Sequence, residues 1–262
     1  MNDRPAPSKL TDELLIYLFD GQSHLLTEPM TTWLKASRRF TAFVNTFRDK
    51  IRKKLRVTQD QESLLDLRLE LETAYLLLQE PPLSLVYEPQ LGQVRFPDFA
   101  VTFTTSHTFM VEVTRLRAGQ KNVLTEAQEQ TLATSAPNTA PMLQSMEERL
   151  ADAVCSKLQQ LPPQCSNVLV VGVEDLHLTQ SDIRATMLRV QQRAERSDST
   201  FLRRYRFRDR AQFFQHYQRL SEILVRGPHL QAAKSMVIWV NPQAKCPLPA
   251  KVRNALYRSL NI

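Results

Sequence analysis

The chain has 262 residues, 42% of them apolar, and 34 Lys and Arg against 27 Asp and Glu give it a net charge of +7 and an isoelectric point near 9.5. That length suits one large domain or a core with an added lobe, and the basic balance favours a polyanionic partner. No run of about 18 apolar residues and no signal-peptide pattern occurs, so no membrane attachment or export is expected.

Five glycines give a dinucleotide or phosphate-loop site no support. Three cysteines, Cys155, Cys165 and Cys246, lack metal-ligand spacing and fit a reducing cytoplasm as buried small side chains. The five histidines are scattered and form no pair with ligand spacing.

Residues 1–9 are proline-rich and read as frayed, 10–20 as a short helix, and 21–32 as a loop. From Trp33, the positions Trp33, Phe40, Phe43, Phe47, Ile51 and Leu55 recur at helical spacing. The polar side of that helix carries Lys35, Arg38, Arg39, Arg48, Lys50, Arg52, Lys53, Lys54 and Arg56 against one acid, Asp49. Intrahelical ion pairing cannot account for so lopsided a run, which leaves a solvated face or a phosphate contact. A further helix over 61–80 has Leu64, Leu67, Leu71, Ala74 and Leu78 as its inner stripe, with Glu70 at the border and Glu72 farther round. Pro81-Pro82 ends it.

Three apolar runs follow, within 83–89, 94–103 and 108–117, and read as consecutive strands. The short break Thr104-Thr105-Ser106-His107 makes the last two a hairpin. Side chains alternate along a strand, so Asp98 shares a face with Phe96 and Ala100, and Glu112 shares one with Met110 and Thr114. Asp98 and Glu112 then lie side by side. Two carboxylates so placed repel each other and lose hydration, and a divalent cation is the obvious way to offset that.

Pro97-Asp98, Glu112-Val113-Thr114 beyond the hairpin, and Glu70-Leu71-Glu72-Thr73-Ala74 on the preceding helix together resemble the PD-(D/E)XK nuclease superfamily. The likeness covers roughly residues 62–178. It implies a restriction-endonuclease-like core: an α/β fold with a mixed central sheet flanked by helices. Residues 61–262 would form this core and 1–60 a basic helical segment packed on it. It further implies that Asp98, Glu112 and the main-chain carbonyl of Val113 bind Mg²⁺ or Mn²⁺. Glu70 would support the metal's water shell or a second ion, unless it is simply a surface glutamate.

The family's lysine position holds Thr114, which can hydrogen-bond water but carries no charge. Lys157 is the candidate replacement. It lies on the inner stripe of a helix over 142–161, about 40° from the stripe's centre. The alternative is a lysine that snorkels to solvent.

Residues 118–140 read as a long connection. Asn167 to Val173 is a continuous apolar run that suits a central strand covered on both faces, and strand, helix, strand implies a crossover. Residues 179–196 and 208–226 read as helices, 235–240 as a strand and 249–260 as a final helix. Between the first two, Phe201, Tyr205 and Phe207 interleave with Arg203, Arg204, Arg206 and Arg208. That alternation reads as an edge strand, an arginine-rich surface with stacking aromatics, or a solvated loop whose aromatics dock on the body.

The expectation is a metal-dependent nuclease acting on DNA, with Arg52, Lys53, Lys54, Arg203, Arg204, Arg206 and Arg208 as phosphate contacts and a homodimer compatible with it. The alternative is a nuclease-fold protein without catalysis that binds nucleic acid or a protein partner, as Thr114 suggests. In a third reading the carboxylates are structural and the charge serves a protein partner.

Overall fold

The structure, a computed structural model, describes residues 7–58, 60–90, 97–116, 145–173, 178–227 and 236–260. The first residues of the proline-rich start and the 118–140 connection lie outside the described residues.

Four helices lead the chain: α1 (Pro7–Phe19), α2 (Thr27–Ala36), α3 (Arg38–Val57) and α4 (Gln61–Leu77). Ser37 and Asp60 cap α3 and α4 by accepting the Phe40 and Ser63 N–H groups. Strands β1 (Leu83–Tyr87), β2 (Phe99–Phe103) and β3 (His107–Arg115) follow, then α5 (Met146–Leu158) and β4 (Asn167–Gly172). Next come α6 (Gln180–Glu195), α7 (Ser199–Arg204), α8 (Arg210–Tyr217), β5 (Leu220–Arg226), β6 (Met236–Val240) and α9 (Ala250–Leu260).

The strands form one sheet in chain order. β1, β2 and β3 are antiparallel, β3, β4 and β5 are parallel, and β6 returns antiparallel. Parallel neighbours need crossover connections, here through α5 and then through α6 to α8. The sheet is therefore mixed, with helices on both faces. Phe99, Val101, Phe109, Val111, Val113, Val168, Val170 and Leu224 face α1 to α4 and α9. Leu169, Val171, Ile223, Val225 and Trp239 face α5 to α8. Residues on both sides of position 60 share the first of these cores, so the basic segment is packed into the same body as the strands. Among the described residues, no helix is long and apolar enough to cross a membrane.

Three expectations are corrected. The loop expected over 21–32 contains the start of α2, because Pro29 falls in a first helical turn, where its missing N–H has no partner to lose. The helix expected over 208–226 stops at Tyr217, and Leu220–Arg226 is a strand buried at every position. The Arg-aromatic stretch is no edge strand: Asp198 caps the short α7, a turn runs from Tyr205 to Asp209, Phe201 and Phe207 are buried and the Tyr205 hydroxyl donates to Asp152, so the second half is a loop whose aromatics dock on the body. Its aromatics build the core instead of offering a stacking platform.

Helix α3 lies along β1, the outer strand of the sheet. The register leaves the Leu83 and Tyr87 carbonyls on the side of β1 away from β2, since the neighbouring Pro82 and Glu88 bond across to Thr104 and Asp98. Arg39 donates to the carbonyls of Leu83, Leu78 and Glu80, and Lys50 to those of Tyr87 and Glu88. Two cations of the run read as a solvated face or a phosphate contact thus satisfy main-chain acceptors. Arg39→Ala would strip three carbonyls of a charged donor, and a loss of about 2–3 kcal/mol is expected in denaturant melts.

Candidate active site

Extending the β1–β2–β3 register one step beyond Tyr87 and Phe99 puts Glu88, Asp98 and Glu112 in a row across three strands. The next β2 position, opposite Val113, is Pro97, which has no N–H to give the ladder. There the pairing ends, and the Val113 N–H donates to Asp98 Oδ2 at 2.7 Å. Glu112 is paired with Leu169, whose side chain faces α5 to α8, and it is 3% exposed. From α5, Lys157 reaches across that face, its Nζ 2.6 Å from Glu112 Oε1. The second carboxylate oxygen, Oε2, is buried with no hydrogen-bond partner among the described residues.

Glu70 comes from α4 and is itself buried, and its charge is felt by Asp98, Glu112 and Lys157 alike. Glu70 Oε1 accepts from Lys54 Nζ at 2.7 Å, and the same ammonium lies 2.7 Å from Glu88 Oε1. Beneath it is the ring of Tyr87, whose centroid is 4.8 Å from Nζ.

Four carboxylates and two ammonium groups therefore make one cluster, and its electrostatics follow from that ratio. Burial, then the charges of Glu112 and Glu70, holds the Asp98 carboxyl well above its ordinary range, against the pull of Lys157 and the Val113 N–H. Burial also raises Glu112, although Lys157 opposes it. Burial alone would lower Lys157 and Lys54. The carboxylates around them outweigh it, and both are held above the usual lysine value.

Asp98, Glu112, Glu70 and Lys157 are thus brought together. Thr114, two residues past Glu112 on the same face, is half-buried and paired with Val171. Glu72, farther round α4 than Glu70, is buried against Arg226 at 3.4 Å. Glu88 is the site residue that sequence reasoning misses, although it falls on the row of Asp98 and Glu112 once both hairpins are drawn. Lys54, expected at phosphate, belongs instead to the carboxylates.

No family model, curated protein or solved structure matches the chain.

The other expected phosphate contacts are partly engaged. Arg52 pairs with Asp20, Arg204 with Asp152 and Arg208 with Asp209. Arg203 donates to the Ser199 carbonyl, while Lys53 and Arg206 are exposed with no ion pair among the described residues.

Among the described residues, no three carboxylate, imidazole or thiol groups gather closely enough to cage a cation. Two carboxylates and a carbonyl nevertheless suit a hard ion. Asp98 and Glu112 are adjacent oxygen donors, burial and then the Glu112 charge keep Asp98 from ionising freely, and Glu112 Oε2 is buried and unpartnered among the described residues. The cluster carries two more carboxylates than ammonium groups, an imbalance a divalent cation would neutralise.

Proposed function

We propose that this chain is a divalent-cation-dependent nuclease with a restriction-endonuclease-like core, hydrolysing phosphodiester bonds of DNA. The observation that carries the reading is the contact of Lys157 with Glu112 beside Asp98. A lysine and two carboxylates meet at the end of a β-hairpin although the strand position for the lysine holds Thr114. The order α4, β1, β2, β3, α5, β4, with β4 parallel to β3, supports the fold part of the proposal.

Asp98, Glu112 and the Val113 carbonyl would hold Mg²⁺ or Mn²⁺, which supplies charge neutralisation at the phosphate and a more acidic water. The chain's own residues do the rest. Lys157 carries the charge that Thr114 lacks, on the face where attack would occur, and is placed to orient water and stabilise negative charge developing on phosphate oxygens. Glu112 holds that ammonium in place, and Glu70 adds a third carboxylate to the field around both.

The deciding experiment incubates the full chain with duplex DNA, single-stranded DNA and RNA in Mg²⁺ or Mn²⁺. Cleavage that ceases with a chelator is expected; inactivity on all three under both cations would refute the reading. Thr114 favours a second reading, a nucleic-acid binder without catalysis, and retained binding with no cleavage would establish it.

The surface around α7 makes a separate expectation. Binding should weaken with salt along a log–log line. Converting Arg203, Arg206 and Arg208 to Gln should reduce the slope by up to about 3, near 0.9 for each phosphate no longer neutralised. An unchanged slope would clear this ridge of nucleic-acid contact.

A further inference from the structure

Lys54 occupies an unusual position for a residue of a basic helix. Its ammonium is enclosed by groups from three places in the chain: Glu70 on α4, Glu88 just past β1, and the face of Tyr87 within β1. Several features of the surroundings converge on keeping it there. α3 departs from helical geometry at Phe47, whose ring packs on Tyr87 with centroids 5.9 Å apart, and the segment beyond carries Lys50 and Lys54 one turn apart. Lys50 fixes the end of β1 by donating to the carbonyls of Tyr87 and Glu88. Glu88 itself sits in the left-handed region, with φ of 45°, a conformation that a glutamate adopts only when its surroundings demand it. Its N–H is bonded to the Asp98 carbonyl at 2.8 Å, which ties Glu88 to the residue beside Glu112. The Tyr87 hydroxyl is fully buried near Glu70, Glu88 and Asp98, with no hydrogen bond of good geometry among the described residues.

We propose that Lys54 is a positioning residue of the active site: it clamps Glu70 and Glu88 together so that Glu70 is presented to Asp98 and Glu112. This rests on the nuclease reading above and extends it, since it makes α3 a component of the site. Without the clamp, Glu70 and Glu88 repel each other, and the longer side chains swing towards solvent. The row of carboxylates would keep its charge but lose its arrangement. Lys54 touches neither substrate nor reacting atoms in this scheme; it acts through Glu70.

The test compares wild type, Lys54→Met and Lys54→Arg by cleavage kinetics and by Mn²⁺ titration calorimetry. For Lys54→Met, kcat should fall tenfold or more while KM for nucleic acid stays within threefold, and Lys54→Arg should recover part of the loss. Removing one positive charge should also tighten Mn²⁺ binding at least threefold, a change that a merely misfolded variant would not give. If Lys54→Met fails to fold, adding Glu88→Gln restores the local charge balance, and the same fall in kcat is expected. An unchanged kcat, or a rise in KM alone, would overturn the proposal, the latter returning Lys54 to a phosphate contact. An inactive wild type would sink the nuclease reading by itself. The calorimetry would then still decide whether Lys54 governs the carboxylates, because an unchanged Mn²⁺ affinity rules it out.

Discussion

Asp98→Asn is expected to abolish divalent-dependent cleavage, by ~10³-fold or more, and to raise the melting temperature at neutral pH. Burial and the neighbouring Glu112 and Glu70 charges hold the Asp98 carboxyl well above its ordinary value of 3.8. A carboxyl raised in this way adds stability only while protonated. Its contribution is complete below 3.8 and is lost as the pH rises through the folded-state value. At neutral pH, because the unfolded chain gives up that proton more readily than the folded one, the Asp98 carboxyl therefore works against the fold. Asparagine does not, and it still offers an oxygen to the Val113 N–H. Melting curves of the two proteins should separate at neutral pH and converge in acid. Equal melting temperatures at pH 7 with cleavage intact would remove Asp98 from the site.

Lys157→Met should have the second large effect. Cleavage is expected to fall by ~10²-fold or more, with nucleic-acid affinity preserved, because in the proposed mechanism the ammonium would act on the reacting phosphate and water and not on the bound backbone. Stability should fall too. Glu112 is buried, and losing its only ammonium partner among the described residues leaves a charge that costs about 3 kcal/mol to keep there. Adding Thr114→Lys returns a cation to the same face two residues along β3, so it should recover part of both losses. Cleavage unaltered by Lys157→Met, or binding lost in step with cleavage, would contradict this role.

Much of this site was legible because a strand has a period of two. Once Thr104 to His107 is taken as the break, alternation alone fixes the faces of Asp98 and Glu112, and the observed register agrees although His107 already belongs to β3. Lys157 was legible for a different reason: a lysine on the apolar stripe of a helix needs a partner, and the strand beneath offered a carboxylate. β5 was not legible. Phe213, Tyr217, Leu220 and Leu224 continue a helical spacing across the chain's actual break at Gln218-Arg219, where neither glycine nor proline marks an end. A strand buried on both faces shows no alternation to contradict that spacing. The destinations of the α3 bases were hidden as well. A charge run shows that partners are needed, but not that Arg39 and Lys50 find them among main-chain carbonyls or Lys54 among carboxylates.

The hold of Arg39 and Lys50 on β1 also bears on association between molecules. An outer strand with free carbonyls is a template for a foreign strand, and proteins that leave one uncovered risk joining edge to edge into aggregates. Here two carbonyls on that side already have cationic donors, and an arriving backbone N–H would have to displace them from Leu83 and Tyr87. Strand addition is disfavoured on the flank beside Glu88 and Asp98, which leaves β6 as the other margin of the sheet for such growth. Two copies joined through β6 would keep their carboxylate rows at opposite ends of the common sheet.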